Sequence, residues 1–328
     1  MGIENQIIEP YQVSNTSIGK VIPLKRRLKS YLAKNGWLFS MTFPGLLILF
    51  LFSYLPMFGI VIAFKNYNIE KGIWGSDWIG TKNFNYLFSS SDAWRITYNT
   101  LFLNALFIIV GLIFSVFLAL MMNEVKKNWL NRIFQSALFF PFLLSWVIVG
   151  YITFTFLKMD NGLVNNVLHI FGMDPILWYS EAKYWPVILL IINTWKFAGY
   201  YSIIYLAGML GISNEYYEAA RIDGASKLQQ IVHITLPLLV PIMTIMTLLQ
   251  IGRIFYADFG LFYNVTRDVG ILYSTTDVID TYVFRMLRTV GDIGMASAAG
   301  FYQAVVGFFL VLMSNIIVKK IDKDNGIF

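Results

Sequence analysis

The chain contains no cysteine and only two histidines, His169 and His233, in 328 residues. Without thiols there is no disulfide framework, thiol nucleophile or zinc–thiolate site. Two histidines leave little for a metal cluster or a Ser/His/Asp set. Charge is also scarce, at 13% of residues against roughly one quarter in an ordinary soluble domain. No Gly-x-x-x-x-Gly-Lys-Ser/Thr run occurs, so the chain lacks the loop that cradles ATP phosphates. Apolar residues are abundant instead: they make up 57% of the chain, with a mean hydropathy of +0.61. The 28 Phe, 19 Tyr and 9 Trp exclude a disordered chain. One water-soluble core cannot hide this much apolar surface, so the composition indicates an all-α integral membrane protein.

A spanning helix needs about 20 mostly apolar residues. Long charge-free windows run over 36–64, 96–123, 133–157, 228–252 and 293–318. A further window, 184–214, is interrupted by a single charge, Lys196. Six transmembrane helices are therefore expected. The membrane domain covers 37–318, with a cytoplasmic N-terminal segment at 1–36 and a cytoplasmic tail at 319–328. The first apolar stretch begins only near Trp37, so no secretory leader is expected. Before it lie Lys20, Lys25, Arg26, Arg27, Lys29 and Lys34, with Leu24, Leu28 and Leu32 on one helical side. That pattern predicts a basic amphipathic helix on the inner membrane surface.

With the N-terminus inside, the inner segments hold 14 basic residues in 67 positions, against 10 in 97 for the outer loops. The inside is about twice as basic per residue, as the positive-inside rule expects. The net charge of +6 then has a topological cause, and nucleic acid is excluded as a partner. The outer loop 65–95 carries Trp74, Gly75, Trp78, Gly80 and Trp94. Rings there suit either headgroup anchoring or docking of an external partner.

The loop between spans four and five is the most informative stretch. Ser213 or Asn214 caps a helix with Glu215 in its first turn, where the helix dipole favours an anion. Gly224 is positioned to end that helix in a left-handed conformation. Ser226 and Gln229 form a capping-box start for a second helix leading into span five. Pro237 then removes a backbone donor and invites a kink. The result is a helix–Gly–helix elbow able to pass a push from a cytosolic partner into the membrane.

These residues carry a resemblance. Glu218, Ala219, Ala220, Gly224, Ile234, Leu236 and Pro237 match every fixed position of the loop signature of permease subunits of bacterial ABC importers. Ala220-Arg221-Ile222-Asp223-Gly224-Ala225-Ser226 resembles the carbohydrate-uptake branch, as do Trp195-Lys196 with Tyr205 to Met209, and Trp78-Ile79-Gly80 with Asn83-Phe84. Phe43-Pro44-Gly45 and Tyr54-Leu55-Pro56 resemble its complex-oligosaccharide or lipoprotein-type subgroup. The resemblance implies a pore-forming subunit that works by alternating access in the bacterial inner membrane, both termini cytoplasmic. It implies a second permease, two ATPase subunits and an external substrate-binding protein as partners. ATP and Mg would sit on the ATPases, with no cofactor on this chain. Glu218 to Gly224, Asp223 included, would form the coupling helix seated on an ATPase. The cargo implied is a sugar, an oligosaccharide that is neutral or acidic.

Polar and aromatic residues within the spans are candidates for the translocation path, because polar groups there are costly. They are Trp146, Tyr151, Asn193, Trp195, Lys196, Tyr200, Tyr201 and Gln250, with Asn104 beside them. Packing between helices is the competing role for each. Lys196 lies 12 residues into its window, about 18 Å along a helix. It is too deep to snorkel comfortably from a lipid-facing site. A path-facing position is expected, with interface carbonyls or a partner's acid as alternatives. An ion-driven secondary transporter would want intramembrane carboxylates, and the six windows hold no Asp or Glu. A membrane-embedded enzyme would likewise want carboxylates or histidines at depth. A permease for a non-sugar solute is the remaining alternative.

Overall fold

The computed structural model describes residues 24–125 and 127–321. Two units divide at Phe58 and Gly59. The first contains a helix over Leu24–Leu49 that passes through Pro44 and continues as a π turn at Phe50–Tyr54. Residues 20–23 of the expected basic surface helix lie outside the described residues. From Leu24 onward its backbone is not a separate element: it runs unbroken into the first span, because Asn35-Gly36 does not interrupt the helix. Asp322, Lys323 and Asp324 of the tail also lie outside the described residues.

Five helices are long and apolar enough to cross a membrane: Asn35–Phe64, Ser91–Asn123, Ala182–Leu210, Lys227–Ile251 and Ile293–Ile316. They are spans one, two, four, five and six. Span three is not one rod. It is a pair of helical arms, Asn128–Leu143 and Trp146–Leu157, bent by 96°. Pro141 sits in the last turn of the first arm, and Leu144 and Ser145 are extended. Ser145 then caps the second arm by accepting the Ile148 N–H. A charge-free window reveals apolarity, not straightness, which is why this break was not visible in the run from 133 to 157.

Within the second unit, span two is the central post. It packs along span four, and the first arm of span three packs on span four. One core gathers Val116, Ala119, Met122, Tyr205, Leu206, Met209 and Leu239 from spans two, four and five. A second gathers Leu103, Phe107, Val149, Trp185 and Leu189 with Leu261, Phe262, Val265, Leu272 and Val278. The segment 253–292, expected as an outer loop, therefore contributes much of a buried core. Its short helical pieces, including Leu261–Val265 and Ile279–Arg285, fold back against spans two, three, four and six. Their apolar residues have no other surface on which to bury.

A buried ion cluster pins this fold-back. Asp277 is 1% exposed and accepts two hydrogen bonds from Arg285, both at 2.7 Å, and one from Arg95 at 3.0 Å. Thr281 donates a further one at 3.1 Å. Arg95 also pairs with Asp92 at 2.9 Å. These partners explain why span two begins at Ser91, inside charged sequence: each charge at its start is compensated. Near the start of the unit, Lys65–Asn66 pairs antiparallel with Asp77–Trp78. The Asn83 amide holds the carbonyls of Ala63 and Lys65. Trp74, Trp78 and Trp94 remain largely exposed, as both readings of those rings require.

Span four meets the first arm of span three at Gly199, where a Cβ would run into the Leu138 carbonyl. Only glycine allows this approach. Gly199→Ala is expected to destabilise the protein by about 1–3 kcal/mol through overpacking. The check is the thermal midpoint of the purified protein, with Gly300→Ala, which meets nothing within 4 Å, as the neutral comparison.

Candidate functional site

The elbow is built as its local sequence demands. The Ser213 hydroxyl accepts the Glu215 N–H at 3.3 Å at the start of the helix Asn214–Ile222. The helix ends in a Schellman motif: Ala225 N–H donates to the Ala220 carbonyl at 2.8 Å, and Gly224 N–H to the Arg221 carbonyl at 3.1 Å. Gly224 adopts φ +79°, which a side chain bearing a Cβ disfavours. Ser226 and Gln229 then close a reciprocal capping box. From Lys227 the second helix continues without a break as span five. A π turn at Ile231–Thr235 comes immediately before Leu236, whose N–H donates to the Ile231 carbonyl, so Pro237 falls in the first turn that follows.

Two side-chain links stiffen the elbow. The Tyr217 and Thr235 hydroxyls lie 2.9 Å apart, joining the helix Asn214–Ile222 to the base of span five. Lys227 pairs with Glu124 at the end of span two at 3.0 Å. The outer face stays open: Glu218, Ala219 and Asp223 are exposed, and Ile222 is 86% exposed. Ile222 thus stands exposed between the Arg221 and Asp223 side chains at the end of this helix. Ile234 and Leu236 are half-buried and face back toward the membrane helices, so they serve the elbow's seating.

The second feature is a cavity of about 460 Å³ between spans two, four and five. Phe107, halfway along span two, and Phe197, close to halfway along span four, both line it, so it lies at midspan. Asn193, Tyr200, Tyr201 and Gln250 come together on its wall, as does Asn104. The Tyr200 ring stacks on Phe142 at 4.5 Å and meets Tyr201 edge-on at 5.2 Å. Stacked rings with nearby amides suit a sugar, whose faces are apolar and whose edges are hydroxylated.

The other path candidates lie elsewhere. Tyr151 is 75% exposed away from the cavity, and Trp195 lines a separate apolar groove with Ile152 and Thr153. Trp146 donates its indole N–H to Asp258 at 2.8 Å. Lys196 is 4% exposed and does not line the cavity. Its Nζ donates to the carbonyls of Pro141 at 3.2 Å and Phe142 at 3.1 Å, and to that of Leu144. The Trp146 ring lies 5.0 Å from it. Of the environments open to this lysine, the structure chooses the carbonyls: they are the last acceptors of the first arm of span three, of which that of Pro141 also takes the Leu144 N–H.

Both charged residues of the cavity wall, Arg253 and Asp258, escaped the sequence reading. The charge-free window for span five stops at Gly252 by construction, which assigned both to a loop. The chain is in fact unwound there while still between the spans. Asn104 donates to the Ile254 carbonyl at 2.8 Å, and Gln303 to the Phe255 carbonyl at 2.9 Å. Asp280 accepts the Ala257 N–H at 2.8 Å. Burial pushes the Asp280 carboxyl above the usual carboxylate range, opposed by the Ala257 and Gln303 donors. The available signal was Asn104 and Gln303 themselves, amides inside apolar helices that need partners.

This arrangement matches known proteins. Residues 111–323 match the family described as binding-protein-dependent transport system inner membrane component. The chain is 35% identical to Protein LplB of Bacillus subtilis, over 90% of this chain and 92% of that one. It is 33% identical to the polygalacturonan/rhamnogalacturonan transport system permease protein YteP of the same organism, over 92% and 93%. A crystal structure of a bacterial ABC transporter involved in import of the acidic polysaccharide alginate superposes with a TM-score of 0.83. Identity there is 33%, over 90% of this chain and 99% of that one. The chain belongs to this family of inner-membrane permeases. It is a multi-pass permease subunit of an ABC importer.

Replacing Lys196 by Met keeps length and apolarity but removes the donor to the Phe142 and Leu144 carbonyls, at roughly 1–3 kcal/mol for each buried acceptor left unmet. The expected outcome is a lower yield of folded protein and a lower melting temperature, with transport falling in proportion. Normal yield with uptake alone lost would return Lys196 to the path.

Proposed function

We propose that this chain lines one half of the pore of an ATP-driven importer of oligosaccharides, and that the elbow is where ATPase movement enters the membrane. The observation that carries the reading is the elbow's construction. A short helix with an open face is closed by Gly224, tied through Tyr217 to Thr235, and continuous with span five. A push on that helix moves span five, and through Lys227 and Glu124 the end of span two. Both spans line the cavity, so the push changes which way the cavity opens.

The elbow and both termini face the cytoplasm in this reading, supported by the basic bias of those segments. Glu218 meets a basic group on the ATPase, and Ile222 fills an apolar part of its groove. A second permease closes the open side of the pore, two ATPases hydrolyse the nucleotide, and a substrate-binding protein delivers cargo from outside. A solved relative is an alginate transporter in complex with an alginate pentasaccharide-bound periplasmic protein, which supports that last partner. The sugar cargo draws support from the rings of Tyr200 and Tyr201 beside Asn193 and Gln250, and from relatives named for polygalacturonan/rhamnogalacturonan and lactose transport.

Gly224→Val strains a positive-φ position at a cost of roughly 1–3 kcal/mol, and Glu218→Lys reverses the charge offered to the partner. Each is expected to reduce uptake at least about tenfold, the effect of some 1.4 kcal/mol on a coupling equilibrium, with membrane insertion unchanged. Normal uptake and normal cargo-stimulated ATP hydrolysis in both variants would refute the coupling role. Affinity purification is expected to recover a second permease and two ATPase subunits with the chain. A solitary homo-oligomer competent in transport would refute the half-pore reading.

A further inference from the structure

The cavity contains a cation that nothing in the fold employs. Arg253 follows span five directly and lines the midspan cavity with Tyr201 and Gln250. It is exposed to that space, and its guanidinium makes no hydrogen bond or ion pair among the described residues. The other charges nearby are committed. Lys196 is sequestered on the carbonyls at the break in span three. Asp258, on the same cavity, spends one carboxylate oxygen on the Trp146 indole and the other on the N–H groups of Gly260 and Leu261.

An unpaired guanidinium at membrane depth is expensive, and such residues are tolerated where they meet water or a ligand. Packing does not account for Arg253, because its head group has no acceptor to hold. Arginine presents a planar fork of donors that matches a carboxylate in bidentate fashion. The tyrosine faces beside it suit a pyranose ring, and the Asn193 and Gln250 amides suit hydroxyls. A neutral sugar needs the rings and amides alone, whereas the free fork adds recognition of an anion borne on the ring.

We infer that Arg253 is the group by which this subunit selects a uronate-bearing oligosaccharide, gripping the sugar carboxylate in the midspan cavity. The inference rests on the sugar-importer reading and adds the charge of the cargo and the residue that reads it. It also explains why the chain unwinds after Ile251. A helix continued past Gly252 would carry the residue along the cylinder, whereas the turn held by Asn104 and Gln303 keeps Arg253 at the cavity wall.

The test uses the assembled transporter in nanodiscs without its binding protein, so that the selectivity measured belongs to the membrane subunits. The probes are trigalacturonate and trimannuronate, each paired with its carboxyl-reduced, neutral trisaccharide, with binding read by equilibrium dialysis. Wild type is expected to bind at least one acid about tenfold or more tightly than its reduced partner, the scale of one charge-assisted bidentate contact. Arg253→Gln is expected to erase that preference, bringing acid and neutral partner to within about twofold of each other, and Arg253→Lys to keep part of it. Equal wild-type binding of acid and neutral partners would overturn the inference and leave the sugar-importer reading standing. So would an acid preference that survives in Arg253→Gln, or a lipid phosphate found to occupy the site and make binding indifferent to the sugars' charge. If wild type binds none of the four probes, the sugar reading falls and the inference with it.

Discussion

A backbone carbonyl or N–H at membrane depth has no water to bond, so every departure from a straight helix must be met by another part of the protein. Among the described residues, two breaks stand out. Span three breaks after Pro141 and leaves the last carbonyls of its first arm without an α-helical continuation. The chain also unwinds after Ile251 for several residues before folding again. Both breaks are answered by polar side chains reaching in from neighbouring spans. Lys196 of span four covers the first, and Asn104 of span two with Gln303 of span six covers the second. Asp280 takes the Ala257 N–H, and Asp258 anchors the Trp146 ring, so the two breaks are also joined to each other.

The cavity lies against the second of those breaks: the unwound stretch after Ile251 supplies Arg253, Ile254, Tyr256 and Asp258 to a space between spans two, four and five. Its wall is then furnished by residues that the repairs leave free: the Tyr200 and Tyr201 rings, the Asn193 and Gln250 amides, and the Arg253 fork. Lys196 and Asn104 are polar for the sake of the backbone, and Arg253 is polar for the sake of what enters. Sorting polar residues in a membrane bundle by whether their partners are internal separates scaffold from site.

Movement has its own rigid route. The elbow is capped at each joint, clamped by the Tyr217–Thr235 contact, and fused to span five. Its tip is left bare, with Ile222 almost wholly exposed. The stiffness of the joints connects this tip, through span five, to the cavity wall at Gln250, and that connection is what the proposed coupling role uses.

Local chemistry was enough to read much of this from the residues alone. Hydropathy over about 20 residues is a property of the segment itself, so the spans were legible to within a few positions. Caps depend on side chains three residues apart, so Ser213, Gly224 and the Ser226–Gln229 pair announced the elbow before any packing was considered. Tertiary structure decided what depends on distant partners. Lys196 looked like a path residue because its acceptors lie more than fifty positions away in sequence, at a break that apolarity conceals. Segment 253–292 looked like a loop because its apolar pieces are short and bury against distant spans as well as against one another. Arg253 looked like a loop charge because only the fold carries it back between the helices. A residue's type states what it needs; which group three-dimensional packing supplies to meet that need is written nowhere in its neighbours along the chain.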